Sequence, residues 1–235
     1  LACSCTCCWG PDAMAGTPFD LQLLNACAAL LLLLSFSMLS QRRIVSLVNL
    51  LALQGGLLFI ATLLLAWRTG QSHLYLSAAL TLLLKVILLP WLLHRMIRRL
   101  EVYWDTEPLL NTAGTMLAGV VTVVFAFGLA QPIAALASTA MRNAIGIALA
   151  VILLAFITMI TRRKAMSQVV GFLSMENGLF FGAMSATYGM PMIVELGVAL
   201  DVLVAMLVLG VFFFQIREQF DSLDLHHLES LREDQ

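Results

Sequence analysis

The chain alternates long apolar runs with short polar breaks. Seven runs read as helices, at 21–40, 44–67, 72–95, 109–130, 143–161, 165–187 and 192–216. About 20 predominantly apolar residues suffice to cross roughly 30 Å of hydrocarbon, and each run is about that long. The breaks are Gln41-Arg42-Arg43, Arg68-Thr69-Gly70-Gln71, the stretch around Asp105–Pro108, Gln131–Pro132, Thr161–Lys164 and Gly189–Pro191. The pattern predicts an all-α integral membrane protein of about seven transmembrane helices.

Composition agrees with that pattern. The 235 residues are 61% hydrophobic and 11% charged, against about 45–50% apolar and 25% charged for soluble domains, so a soluble core cannot account for the apolar runs. The net charge is −1 and no long basic run occurs, so no nucleic-acid partner is expected; the lipid bilayer is the expected surroundings. Basic residues sort by side. Segments after the first, third, fifth and seventh spans carry Arg42, Arg43, Arg95, Arg98, Arg99, Arg162, Arg163, Lys164, Arg217 and Arg232, and the opposite set carries Arg68 and Arg142. The positive-inside rule then places the N-terminus outside and the C-terminal tail in the cytoplasm.

Five segments follow: 1–20 as a disordered N-terminal stretch, 21–95 as a three-helix unit, 96–142 as a linker with the fourth helix, 143–216 as a second three-helix unit, and 217–235 as a cytoplasmic tail. Cys3, Cys5, Cys7 and Cys8 crowd the start, which has neither the basic nor the apolar region of a secretory signal. Cys5-x-x-Cys8 has metal or redox spacing but lacks a second pair. An over-extended start, with Met14 as initiator, is the favoured reading. Cys27 is expected to be a buried small apolar residue.

Within the runs stand Lys85, Glu176 and Asp201, with Glu195 in the first turn of the seventh. A charge at the bilayer centre costs about 2.5–3.5 kcal/mol even on lenient insertion scales, and such residues are functional candidates by default. Glu176 lies midway along its run, where it reads as a proton-relay acid or as a protonated hydrogen-bonding group between helices. Lys85 is a proton carrier, or one half of a salt bridge to Asp201 or to a partner subunit. Glu195 is equally explained by the helix dipole, which favours negative charge at an N-terminus. Asp201 and Glu195 are turned about 240° apart around their helix, so they form no simple two-carboxylate relay.

A short internal match links the two three-helix units. Gln54-Gly-Gly-Leu-Leu-Phe lays over Glu176-Asn-Gly-Leu-Phe-Phe, each after an Arg-Arg pair, and the same overlay sets Lys85 opposite Asp201. Parallel repeats of this kind are a known membrane architecture. Small residues recur every four positions in the fourth run (Gly114, Ala118, Thr122, Ala126, Ala130), and the sixth repeats the device at seven- and four-residue spacings (Gly171, Gly178, Gly182, Ala186), marking faces for close helix packing. No metal-ligand set, glycine-rich nucleotide loop or nucleophile elbow is present, so no catalytic centre is expected in the chain itself. His94 and Arg95 read as interfacial anchors.

Several of these segments resemble the hydrogenase-4 component E family, related to formate hydrogenlyase membrane arms. They are Arg162-Arg-Lys, Gly171-Phe-Leu-Ser-Met-Glu176-Asn-Gly, Val194-Glu-Leu-Gly-Val-Ala-Leu-Asp201, the tail Leu223-Asp-Leu-His-His-Leu, and Lys85-Val-Ile-Leu-Leu-Pro90. The second half also resembles the K subunit of respiratory complex I and the C subunit of multisubunit cation/proton antiporters. The K-type glutamate two residues after the helix glycine corresponds here to Leu173, the acid being Glu176 one turn on. The resemblance implies a multi-pass subunit of a bacterial cytoplasmic (inner) membrane complex of the group 4 NiFe-hydrogenase type. It implies that Glu176 and Asp201 belong to a proton-conducting axis, to which the reading of the buried charges adds Lys85 and Glu195 as proton-pathway candidates. The implied partners are antiporter-like and small quinone-site-like membrane subunits together with peripheral Fe–S and Ni–Fe hydrogenase subunits. No cofactor is expected in this chain, the metal centres belonging to those partners. A non-conducting scaffold of the same arm is the alternative, with a stand-alone ion transporter further behind.

Overall fold

A computed structural model describes residues 18–70, 72–100, 112–134, 139–162 and 164–187, with single positions at 197 and 210. The elements are α1 (Pro18–Ser40), α2 (Ile44–Thr69), α3 (Ser72–Thr81), a π-helical segment (Leu82–Leu88), α4 (Leu89–Leu100), α5 (Thr112–Ala134), α6 (Thr139–Thr161) and α7 (Ala165–Thr187). α3, the π segment and α4 form one continuous third span. Six helices among the described residues are long and apolar enough to cross a membrane. Of the expected seventh span at 192–216 only Gly197 and Gly210 are among the described residues, and the tail lies outside them.

The bundle is inside-out relative to a soluble protein. Leu33, Trp67, Leu76, Leu117, Val124 and Ile160 are all well exposed on its outer surface. A contiguous apolar exterior of this kind suits lipid rather than water. Polar side chains meanwhile collect within. α7 packs mainly on α6 and also on α2; α1 is wedged among α2, α5 and α6; and α2 lies along the third span.

Glycines make the α6–α7 contact close. A Cβ at Gly171 would meet Met159 Cγ at 2.7 Å, and one at Gly178 would meet Val151 Cγ1 at 2.9 Å. The small-residue face read for the sixth run therefore does pack against a neighbour. In α5 the buried positions are Thr115, Gly119, Ala126 and Ala130, while Gly114 is open. A strict four-residue spacing advances about 40° per step on a helix of 3.6 residues per turn, so the expected stripe winds off the contact face. The helix also continues through the expected Gln131–Pro132 break to Ala134.

The third span carries the local irregularity. Pro90 has no N–H, and in an α-helix its ring would crowd the carbonyl of Val86. The backbone widens just before it into the π segment, where Leu89 N–H reaches back five residues to Leu84 O. Such segments are rare and occur preferentially at functional sites. Lys85 lies within this one. α2 closes differently, with Gly70 in the left-handed conformation (φ 64°) donating its N–H to Ala66 O.

Two apolar clusters fill the interior, one toward each end. Met38, Ile44, Leu47, Leu51, Leu93, Ile97, Met166 and Leu173 belong to the first. Cys27, Leu31, Leu58, Leu65, Phe180 and Met184 belong to the second, so Cys27 is buried among apolar side chains as expected. On α1, α2 and α7 a polar residue stands between the two clusters: Ser35, Gln54, and Glu176 with Asn177. Lys85 enters the same level from the third span.

Candidate functional site

The polar level is a connected set of side chains from four spans. Lys85 Nζ lies 3.3 Å from Glu176 Oε1, and each side chain is only 3% exposed. Lys85 also donates to Asn177 Oδ1 at 3.1 Å, and its ammonium stands over the Phe180 ring, 4.9 Å from the centroid. Asn177 Nδ2 donates to Gln54 Oε1 at 3.4 Å. Gln54 Nε2 donates to Ser35 Oγ at 2.7 Å, and Ser35 Oγ donates to Leu31 O at 2.9 Å.

The sense of this chain of bonds is fixed from one end. A serine hydroxyl has one proton, and Ser35 gives it to a backbone carbonyl, so toward Gln54 it can only accept. Gln54 must then present its nitrogen to Ser35 and its oxygen to Asn177. Asn177 in turn must give its nitrogen to Gln54, which aims its oxygen at Lys85. The amides thus hold a carbonyl dipole toward the ammonium, and reversing either one would oppose two acceptors or two donors.

Backbone packing places the lysine. A Cβ at Gly55 would come within 3.2 Å of both Lys85 Cβ and Lys85 O, tighter than ordinary contact. Glycine at 55 therefore lets the widened turn press directly on α2. Gly56, one residue on, has nothing within 4 Å of such a Cβ.

The structure thus pairs Lys85 with Glu176, where the sequence had offered Asp201 or a partner subunit as the counterpart of Lys85. Asp201 and Glu195 lie outside the described residues. Asn177, Gln54, Ser35, Gly55 and Phe180 join the site although none stood among the candidates. Gln54 and Asn177 did fall inside the two overlaid motifs, which was the available signal. Chemically, the site sets a basic and an acidic side chain 3.3 Å apart within a polar layer of amides and a hydroxyl. No group of three or more His, Cys, Asp or Glu side chains that could hold a metal occurs among the described residues.

A second buried cation stands near one end of the bundle. Arg162 is 4% exposed, and its guanidinium donates to Met38 O and Leu39 O at 3.3 Å each and to Gln41 O. These carbonyls end α1, where the helix dipole favours positive charge. Arg42, beside it, bonds Thr112 Oγ1 at the start of α5. His94 Nδ1 lies 2.9 Å from Pro90 O, within its own helix.

Comparison with known proteins bears on what this site belongs to. Over 212 residues the chain is 37% identical to an uncharacterized protein, Rv0085, of Mycobacterium tuberculosis (strain ATCC 25618 / H37Rv), covering 90% of this chain and 96% of that one. The chain belongs to that protein's family. It is also a distant homologue of hydrogenase-4 component E. The proteins of that name from Escherichia coli K12 and Shigella flexneri are each 26% identical to it over 175 residues, or 74% of this chain and 76% of theirs. No family model and no solved structure matches the chain.

Proposed function

We propose that the chain is a membrane subunit of a hydrogenase-4-like energy-converting complex, and that its mid-span layer takes part in proton movement coupled to electron transfer elsewhere in that complex. The homology to hydrogenase-4 component E supports the first part. The observation that carries the second is the Lys85–Glu176 pair, set between two apolar clusters. Ionisable groups at such depth in a membrane protein mark ion and proton routes more often than they mark simple packing.

The layer suits a protonation cycle. When a proton reaches Glu176, the carboxylate becomes neutral and Lys85 keeps Asn177 Oδ1 and the Phe180 face as partners for its charge. When the proton leaves, the ion pair re-forms. Asp201 and Glu195 would continue the route, and the basic end with Arg42 and Arg162 would face the cytoplasm. Under this reading the chain sits in a bacterial inner membrane among antiporter-like and quinone-site-like subunits, with Fe–S and Ni–Fe partners supplying the electrons.

The scaffold reading retains one specific support: Lys85 finds its acid within its own chain, as a static lock between helices would. Proton uptake coupled to turnover in the reconstituted complex separates the two. Glu176→Gln and Asp201→Asn are compared with wild type in samples shown to assemble. The proton-path reading expects assembled but uncoupled complexes. Unchanged coupling in both variants would establish the scaffold instead.

A further inference from the structure

The third span continues the polar level away from the basic end. Ser77, Thr81 and Lys85 lie one turn apart on a common side of the span, and all three are at most 3% exposed. Spacings of four residues keep neighbouring pairs of them on one side of a helix. Thr81 Oγ1 donates to Ser77 O at 2.9 Å.

Ser77 departs from a pattern that seven other helical hydroxyls share. Ser35, Ser37, Thr62, Thr81, Thr122, Thr158 and Thr161 each donate to the carbonyl four residues back. Such back-bonding is the ordinary way for a helical hydroxyl to satisfy itself where water is scarce. Ser77 Oγ is equally buried, yet it makes no hydrogen bond among the described residues. A buried hydroxyl with no partner is destabilising by about 1–3 kcal/mol, and back-bonding would have been available at no distance. The exception calls for a partner other than this chain's described side chains.

We propose that Ser77 and Thr81 hold bound water, and that this water links the Lys85–Glu176 pair to the end of the bundle opposite Arg42 and Arg162. A buried water requires about two to four polar partners, and two hydroxyl oxygens with the ammonium further along supply them. The ligand is water or its protonated form. This deepens the proton-path reading and rests on it for its purpose, although the water site itself does not.

Two measurements test it. Ser77→Cys and, as a dry control, Ala78→Cys are made in a full-length chain whose native cysteines have been replaced, and each is placed in lipid nanodiscs. Ala78 is as buried as Ser77. A small cationic methanethiosulfonate is added, and the thiol at 77 is expected to react about tenfold faster or more, since reaction needs both a thiolate and a wet approach. Equal rates at 77 and 78 would overturn the site, as would protection of 77 by a side chain from beyond residue 187. In the assembled complex, Ser77→Ala is expected to lose coupled proton uptake and Ser77→Thr to retain it. Uptake unchanged in Ser77→Ala but lost in Glu176→Gln would overturn the link between this water and the pair. Uptake unchanged in Glu176→Gln would refute the proton-path reading instead, leaving the labelling result to decide the water site alone.

Discussion

A double-mutant cycle on Lys85 and Glu176 asks whether the pair at 3.3 Å is ionised. Removing one member of a buried ion pair destabilises by about 3–5 kcal/mol, because the remaining charge loses its counter-charge. Two local features pull Glu176→Gln toward the low end. Lys85 keeps the Asn177 hydrogen bond, and the Phe180 ring contributes about 0.5–2 kcal/mol as a cation–π contact. Lys85→Met leaves the carboxylate without its cation. The double variant removes both charges, and replacing a whole buried pair by groups of similar volume is often neutral or even stabilising. The summed single losses should therefore exceed the double loss by at least about 3 kcal/mol, the low end of the penalty for stranding one charge. A neutral hydrogen-bonded pair would give far less, since coupling across helices in a membrane protein averages about 0.6 kcal/mol. Equilibrium unfolding of the four proteins in mixed micelles, with denaturing detergent as the variable, supplies the numbers. Losses that add within about 0.5 kcal/mol would refute an ionised pair, that being the usual behaviour of independent sites.

Two further perturbations read the packing around the layer. Gly55→Ala places a methyl 3.2 Å from Lys85 Cβ and O and should destabilise by about 1–3 kcal/mol, as overpacking does. Gly56→Ala enters open space and should be neutral or stabilising by up to about 1 kcal/mol through helix propensity, so the same unfolding assay should rank the two oppositely. Arg162→Ala takes the guanidinium from the end of α1 and should lower stability by about 2 kcal/mol, the upper range for a partly buried charge at a helix end. Arg162→Lys should recover only part of this, because an ammonium cannot match the planar fork against several carbonyls; full recovery in a thermal melt would contradict the capping role.

The spans were legible in the sequence because an apolar run of bilayer length has little else to become, and α2 and α7 begin where the polar breaks at Arg43 and Lys164 end. The π segment was not legible. Apolar side chains around Lys85 report which residues are greasy and say nothing about whether the backbone bonds four or five residues back; Pro90 was the only sign. The pairing of Lys85 was hidden for a different reason. Residues 85 and 176 meet only once α2, α7 and the third span have packed, and the internal overlay pointed instead to Asp201. Neutral Asn177 carried no electrostatic signal, although its oxygen is what faces the ammonium. Arg162 looked like one more loop charge, since capping a helix that ends over a hundred residues earlier leaves no local trace.

An acid–base pair satisfied within its own chain looks at first like a lock, yet the partners around Lys85 are redundant for that purpose. A lock needs only the carboxylate. Here the ammonium also has a carbonyl whose direction is set by a relay of amides back to Ser35, and an aromatic face as well. Those contacts become important in the state where Glu176 has been neutralised, because they keep the lysine from being stranded in a medium where an uncompensated charge is severely penalised. The apolar clusters on either side complete the logic. Both clusters place apolar side chains on α1, α2 and α7 to either side of the pair, which disfavours a wet approach along those helices. The third span differs: its Ser77–Thr81 side replaces apolar packing with hydroxyls on the approach to Lys85. Under the proposed function, a layer that can bear the loss of one charge, flanked by apolar packing on three helices and by hydroxyls on the third span, suits exchange better than fixed cross-linking.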